Sequence, residues 1–248
     1  MTDMPEMGGM PSDNELVPFF TFEDIDHALE NGEFCCYLQP KCNAETGTIV
    51  GAEALVRWNH PKYGVIPPRW FVPVLERAGR ICHVDMFVWR FVVEMLGRWE
   101  REGRNLVPVS VNVSMMDIDQ MDVADVIGGL LNEYDVDARL LRVEITESTV
   151  AKNLSMVKDT IRKLHARGIV VLMDDFGSAY SSLNMLKDIN VDMIKLDTKF
   201  IELSKENAGK GVKIIQSIIV MAKKLHLMVI AEAVSYTHLR AHETREDL

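Results

Sequence analysis

Cysteine is scarce here and shows no pattern. Cys35, Cys36, Cys42 and Cys82 have no paired C-x-x-C spacing, which argues against zinc and against a disulfide framework, leaving reduced, partly buried thiols. Long apolar runs are absent as well, since no stretch reaches the roughly 18 residues of a membrane span. The N-terminus is acidic and Met-rich, not a basic segment followed by an apolar core, so the expectation is a cytoplasmic protein or a soluble fragment of one. Positive charge is also short. Lys and Arg total 27 against 37 Asp and Glu, a formal net charge of −10, which disfavours DNA, RNA and anionic membrane surfaces as partners. A phosphate-bearing ligand would need cations supplied locally.

What is present is a regular alternation. Residues 1–14, rich in Met, Gly, Pro and Asp, read as a flexible leader. Thr21 can cap a helix through Glu30 that Asn31-Gly32 would stop. Apolar runs at 34–39 and 49–57 flank a short polar turn, with no room for a helix, so they predict an antiparallel hairpin. A helical region follows over 68–102, with a break near Gly79. Strands are then expected at 107–113, 140–146, 170–173, 191–196 and 228–234, with helices near 124–134, 155–167 and 211–225 between them. Such alternation implies right-handed βαβ units and a parallel sheet in an α/β protein. The seven strands are one short of a closed eight-stranded barrel, and a doubly wound open sheet is the alternative.

The stretch Val170-Val-Leu-Met-Asp-Asp-Phe-Gly177 organises the rest. An apolar strand ends in two adjacent carboxylates, which is costly unless something positive shares the site. A divalent-metal site and a solvated polar strand end are both open on this stretch alone. Parity extends the pattern. Ser110 and Asn112 oppose the valines of their strand, Arg142 and Glu144 oppose Leu141, Val143 and Ile145, and Lys195 opposes Ile194 and Leu196. Glu232 opposes its flanking alanines, while Gly51, Glu53, Leu55 and Arg57 share a face. A barrel with a polar mouth would gather Glu53, Asn112, Glu144, Asp174, Asp175, Lys195 and Glu232. With no Cys or His among them, this hard-oxygen set suits Mg²⁺ or Mn²⁺, and two ions could use all the carboxylates.

Several motifs together resemble one family. Glu53-Ala-Leu55 with Arg57, Val111-Asn-Val-Ser114, Glu144-Ile-Thr-Glu147, Asp174-Asp-Phe-Gly177 with Tyr180-Ser-Ser-Leu183, Lys195-Leu-Asp197 and Ala231-Glu232 follow the order and spacing of EAL-domain cyclic-di-GMP phosphodiesterases. The resemblance implies a modified (β/α)₈ barrel with an antiparallel first strand, spanning residues 15–234, and metal-dependent hydrolysis of cyclic-di-GMP to linear pGpG. It also implies that Glu53, Asn112, Glu144 and Asp174 hold one metal ion, and that Asp174 and Asp175 hold a second. On the same resemblance Glu232 stands beside the second ion and Lys195 contacts the attacking water. Gln39, Arg57 and Asp197 resemble substrate contacts. Glu147 resembles a glutamate that positions the loop after Asp175 and couples it to a homodimer, and a plain helix-start carboxylate is its other reading.

Two departures stand out. Ala179 occupies a position where the family usually has Gly, which would strain the loop if φ is positive there. From Ser235 to Leu248 the family pattern gives way to a polar tail resembling adapter read-through, and a family glutamate and the glutamine of a last strand have no counterpart. The expectation is therefore a barrel without its eighth strand, with two unpaired edges and reduced activity or none. Two rival functions are a catalytically inactive cyclic-di-GMP receptor or scaffold and a barrel enzyme acting on another phosphate ester. Degenerate family members typically lose metal ligands, and those here are intact through Glu232, which favours the enzyme.

Overall fold

The helix caps and strand periods of the sequence translate directly into elements in the structure, a computed structural model that describes residues 20–177, 182–197 and 208–231. Helix α1 (Phe22–Glu30) starts at a reciprocal capping box, in which Asp24 N donates to the Thr21 hydroxyl and Thr21 N donates back to the Asp24 carboxylate at 2.8 Å. The hairpin of β1 (Phe34–Cys42) and β2 (Ile49–His60) is antiparallel, with Gln39 opposite Glu53 and Lys41 opposite Gly51. A short strand, β3 (Gly64–Ile66), folds back on the end of β2. The sequence reading missed it, because three residues cannot display a period of two. Helices α2 (Val72–Ala78) and α3 (Ile81–Arg101) part at Gly79, whose φ of 71° is the left-handed stop expected there.

The alternating half continues with β4 (Val109–Asn112), α4 (Met115–Gln120), α5 (Val123–Tyr134), β5 (Leu141–Thr146), α6 (Glu147–Lys152) and α7 (Leu154–Ala166). It goes on through β6 (Val170–Phe176), α8 (Ser182–Asp188), β7 (Met193–Leu196), the helix Ala208–Lys224, here α9, and β8 (Met228–Ala231). The strands run in the order β1-β2-β4-β5-β6-β7-β8, parallel from β2 onward, with β1 antiparallel at one end. Among the described residues β1 and β8 are the two ends of the sheet.

The sheet is curled into a half-barrel. In a flat sheet β2 and β7, four strand steps apart, would be separated by about 19 Å, more than two side chains can bridge. Yet Lys195 Nζ on β7 lies 2.8 Å from Glu53 Oε2 on β2, so both point into one concavity. The convex face carries Val109, Val111, Val143, Val171 and Ile194, all buried in the core beneath the helices. This one-sided chemistry is what separates the curled sheet from the doubly wound alternative.

Behind the sheet, α3 and α4 meet over a second acidic pair. Asp117 accepts from Ser114 N and Oγ at 2.7 Å through Oδ2, while its buried Oδ1 has no hydrogen-bond partner among the described residues. Burial first, and then the charge of Asp117, push the Asp85 carboxyl on α3 well above the usual carboxylate range. A raised carboxyl stabilises the fold below its unfolded pKa, and that stability is lost as pH rises through the folded value. Asp85→Asn removes the charge and supplies an amide donor beside Asp117 at every pH. It should therefore raise the melting temperature by a few degrees at about pH 8 and by less near pH 5, read by thermal unfolding at both.

Candidate active site

Each charged group of the concavity sits where its strand's alternation places it. Register pairs Glu53 with Ser110, Ser110 with Arg142, and Asn112 with Glu144, so one face accumulates polar groups from β2, β4 and β5. On β6 the ladder is interrupted between Met173 and Phe176, where Asp174 and Asp175 together oppose the single residue Lys195 of β7. Asp175 takes the left-handed conformation, with φ of 55°, one of the few that Asp tolerates well. This bulge returns Phe176 to the convex face, where it is 1% exposed, and leaves Asp174 pointing inward. The sequence reading ended the strand at Met173. The bulge is the reason it runs on to Phe176.

Glu53, Glu144 and Asp174 are all buried, and each offers an oxygen within 4.8 Å of the others. Lys195 Nζ donates to all three, at 2.8 Å to Glu53, 3.4 Å to Glu144 and 3.3 Å to Asp174. A second ammonium, Lys41 on β1, contacts Glu144 Oε1 closely, donates to Ser110 Oγ at 2.6 Å and lies 3.9 Å from Glu53. The sequence reading did not single out Lys41. The signal was available, because Lys41 shares the parity of Gln39 on a strand whose face is set by the hairpin.

The electrostatics follow from burial and these partners. Burial pushes Asp174 up to about 7, with the charge of Lys195 opposing it. Burial also acts to raise Glu144, but the charges of Lys41 and Lys195 outweigh it and hold that carboxyl below its ordinary value. For Lys195 desolvation favours loss of the proton, while Glu144, Glu53 and Asp174 together keep the ammonium well above the usual lysine range.

The donor chemistry fits a divalent cation. Three carboxylates converge, and Asn112 Nδ2 lies 3.5 Å from Glu53 Oε1, so a half-turn of that amide would present its oxygen to the same space. Asp175 is exposed and stands outside the trio. At the rim, Gln39 is exposed opposite Glu53, and the Arg57 guanidinium donates to Val56 O and lies 5.6 Å from the Tyr37 ring centroid. Asp197 is buried just past β7, where its N–H donates to Phe176 O. Glu147 is both the first residue of α6 and a fully buried acceptor for Gly177 N at 3.3 Å, just past the bulge. Glu232, Ala179 and the tail 235–248 lie outside the described residues.

Comparison with known proteins places the whole fold in one family. The EAL domain family matches residues 23–238. The cyclic di-GMP phosphodiesterase RocR of Pseudomonas aeruginosa is 30% identical over 227 residues, covering 91% of this chain and 57% of RocR. The bifunctional diguanylate cyclase/cyclic di-GMP phosphodiesterase MucR of the same organism is 31% identical over 85% of this chain, which spans 31% of MucR. The chain thus corresponds to only part of each of these curated relatives. Among solved structures, the MucR phosphodiesterase in complex with c-di-GMP superposes with a TM-score of 0.79 at 29% identity, covering 86% of both chains. Fold, site geometry and a match across most of its length agree that this chain belongs to the EAL-domain family.

Proposed function

We propose that this chain hydrolyses one phosphodiester bond of cyclic-di-GMP, giving linear pGpG, with two Mg²⁺ or Mn²⁺ ions as cofactors. The observation that carries the reading is the convergence of Glu53, Glu144 and Asp174 on one buried point beside Lys195, in an EAL-family chain whose relatives include phosphodiesterases. When bound, the cations acidify water and offset charge on the non-bridging phosphate oxygens.

The protein's own groups do the rest. Glu53, Asn112, Glu144 and Asp174 would hold one ion and Asp174 and Asp175 a second, with Glu232 assigned to the second ion on the family resemblance alone. Lys195 is fixed by three carboxylates, and in this reading it would orient the attacking water and donate toward developing negative charge. Arg57 presents planar N–H donors that can pair with a phosphate, and Gln39 and Asp197 contact the substrate. Glu147 fixes the start of the loop after β6 through Gly177. The reading carries a cytoplasmic location with it. Among the described residues no helix is long and apolar enough to cross a membrane.

The test is incubation of the purified protein with cyclic-di-GMP and Mg²⁺ or Mn²⁺, separating products by chromatography. Accumulation of pGpG that stops on chelation is the expected result. Saturable cyclic-di-GMP binding with no pGpG under either ion would remove the enzyme and leave a receptor.

A further inference from the structure

Two ammonium groups share the carboxylate cluster, and only one of them has a place in the reaction proposed above. Lys41 is 11% exposed and enters from β1, on the opposite side of Glu144 from Lys195. Its contact is built, not incidental. Ser110 Oγ, fully buried, accepts from Lys41 Nζ at 2.6 Å while donating to Ala52 O at 3.2 Å. Held this way, Nζ sits on Glu144 Oε1, an oxygen of the very carboxylate that would ligate a cation.

We propose that Lys41 is a resident counter-cation that occupies Glu144 in the metal-free protein and competes with the divalent ion for it, so that Lys41 sets the affinity of the site for metal. The inference rests on the metal-binding reading above. The physical argument is a charge count. Three buried carboxylates would repel one another with nothing positive among them, and Lys41 and Lys195 sit directly on them while the Arg142 guanidinium also acts on Glu144. An incoming divalent ion then finds Glu144 already paired and meets like charge close by, which lowers its net gain. Lys41 thus keeps the empty site folded at the expense of its hold on the ion.

A purely structural role for Lys41 predicts the opposite sign. If the lysine only props Glu144 in place, removing it loosens a ligand and weakens metal binding. Titration calorimetry with Mn²⁺ alone, on the full chain, separates the two. Lys41→Met retains most of the side-chain volume and removes the charge. It should bind Mn²⁺ about tenfold more tightly than the parent, while its melting temperature without metal falls. Lys41→Arg should return affinity toward the parent value. Ser110→Ala, which unties Nζ without removing the charge, should shift affinity the same way by less, and it carries the test if Lys41→Met does not fold. Unchanged or weaker Mn²⁺ binding in both Lys41→Met and Ser110→Ala, with the parent binding normally, overturns the role of Lys41 and leaves the metal site intact. Absence of Mn²⁺ binding in the parent itself overturns the metal reading, and the inference falls with it.

Discussion

Replacing Glu144 with Gln is expected to cut pGpG formation about a thousandfold, equivalent to roughly 4 kcal/mol of transition-state stabilisation. Glu144 is fully buried within the trio and in contact with both ammonium groups, so its carboxylate is held in place from two sides. Glutamine has the same shape but lacks the negative charge, and its amide group cannot act as a two-oxygen ligand. The fold should tolerate the change, because Glu53 and Asp174 would then face Lys41 and Lys195 in equal number. Alanine would be a poorer test, since it adds a cavity to the loss of charge. The measurement is the steady-state rate of pGpG release, alongside Mn²⁺ affinity and the melting temperature of the same sample. A rate within tenfold of the parent would mean that Glu144 is not a ligand.

Lys195→Met should have the largest effect on stability, a loss of about 3–5 kcal/mol in the metal-free protein. One ammonium on β7 ties carboxylates on β2, β5 and β6, so it pins the curl of the sheet across its concave side. Without it, buried like charges face one another with Lys41, within ion-pair distance of Glu144 and Glu53, and the Arg142 guanidinium beside Glu144 left to offset them. For a chain of 248 residues the expected drop in melting temperature is about 10 °C. Mn²⁺ should recover part of the loss, because an ion that binds only the folded state stabilises it in proportion to its occupancy. A melting temperature within about 2 °C of the parent without metal would show that the cluster is solvated and that its curl is maintained by the helices alone.

Periodicity explains which parts of this architecture were readable in advance. The hairpin, the break at Gly79 and the inward parity of Glu53, Asn112, Glu144 and Lys195 each follow from a local repeat of two or a local stop residue. What escaped was either too short or too distant along the chain. Strand β3 and helix α4 span three and six residues, fewer than two full periods of either element, so no repeat is visible. The contact of Lys41 with Glu144 joins residues 103 apart, and the Asp85–Asp117 pair depends on how α3 crosses α4. The bulge on β6 was hidden for another reason. Two consecutive aspartates read as a strand end, because strict alternation offers no way for both to precede a core phenylalanine.

That bulge divides labour within the Asp174-Asp175 dipeptide. One aspartate serves as a chemical group facing Lys195, and the other also serves as a hinge pin whose backbone angle aims its neighbour. Glycine adopts the same angle freely, so at position 175 shape can be preserved while charge is deleted, a separation unavailable at position 174. Asp175→Gly therefore isolates what the second carboxylate contributes as a charge from what its backbone contributes as a shape, a distinction that no substitution at Asp174 can draw.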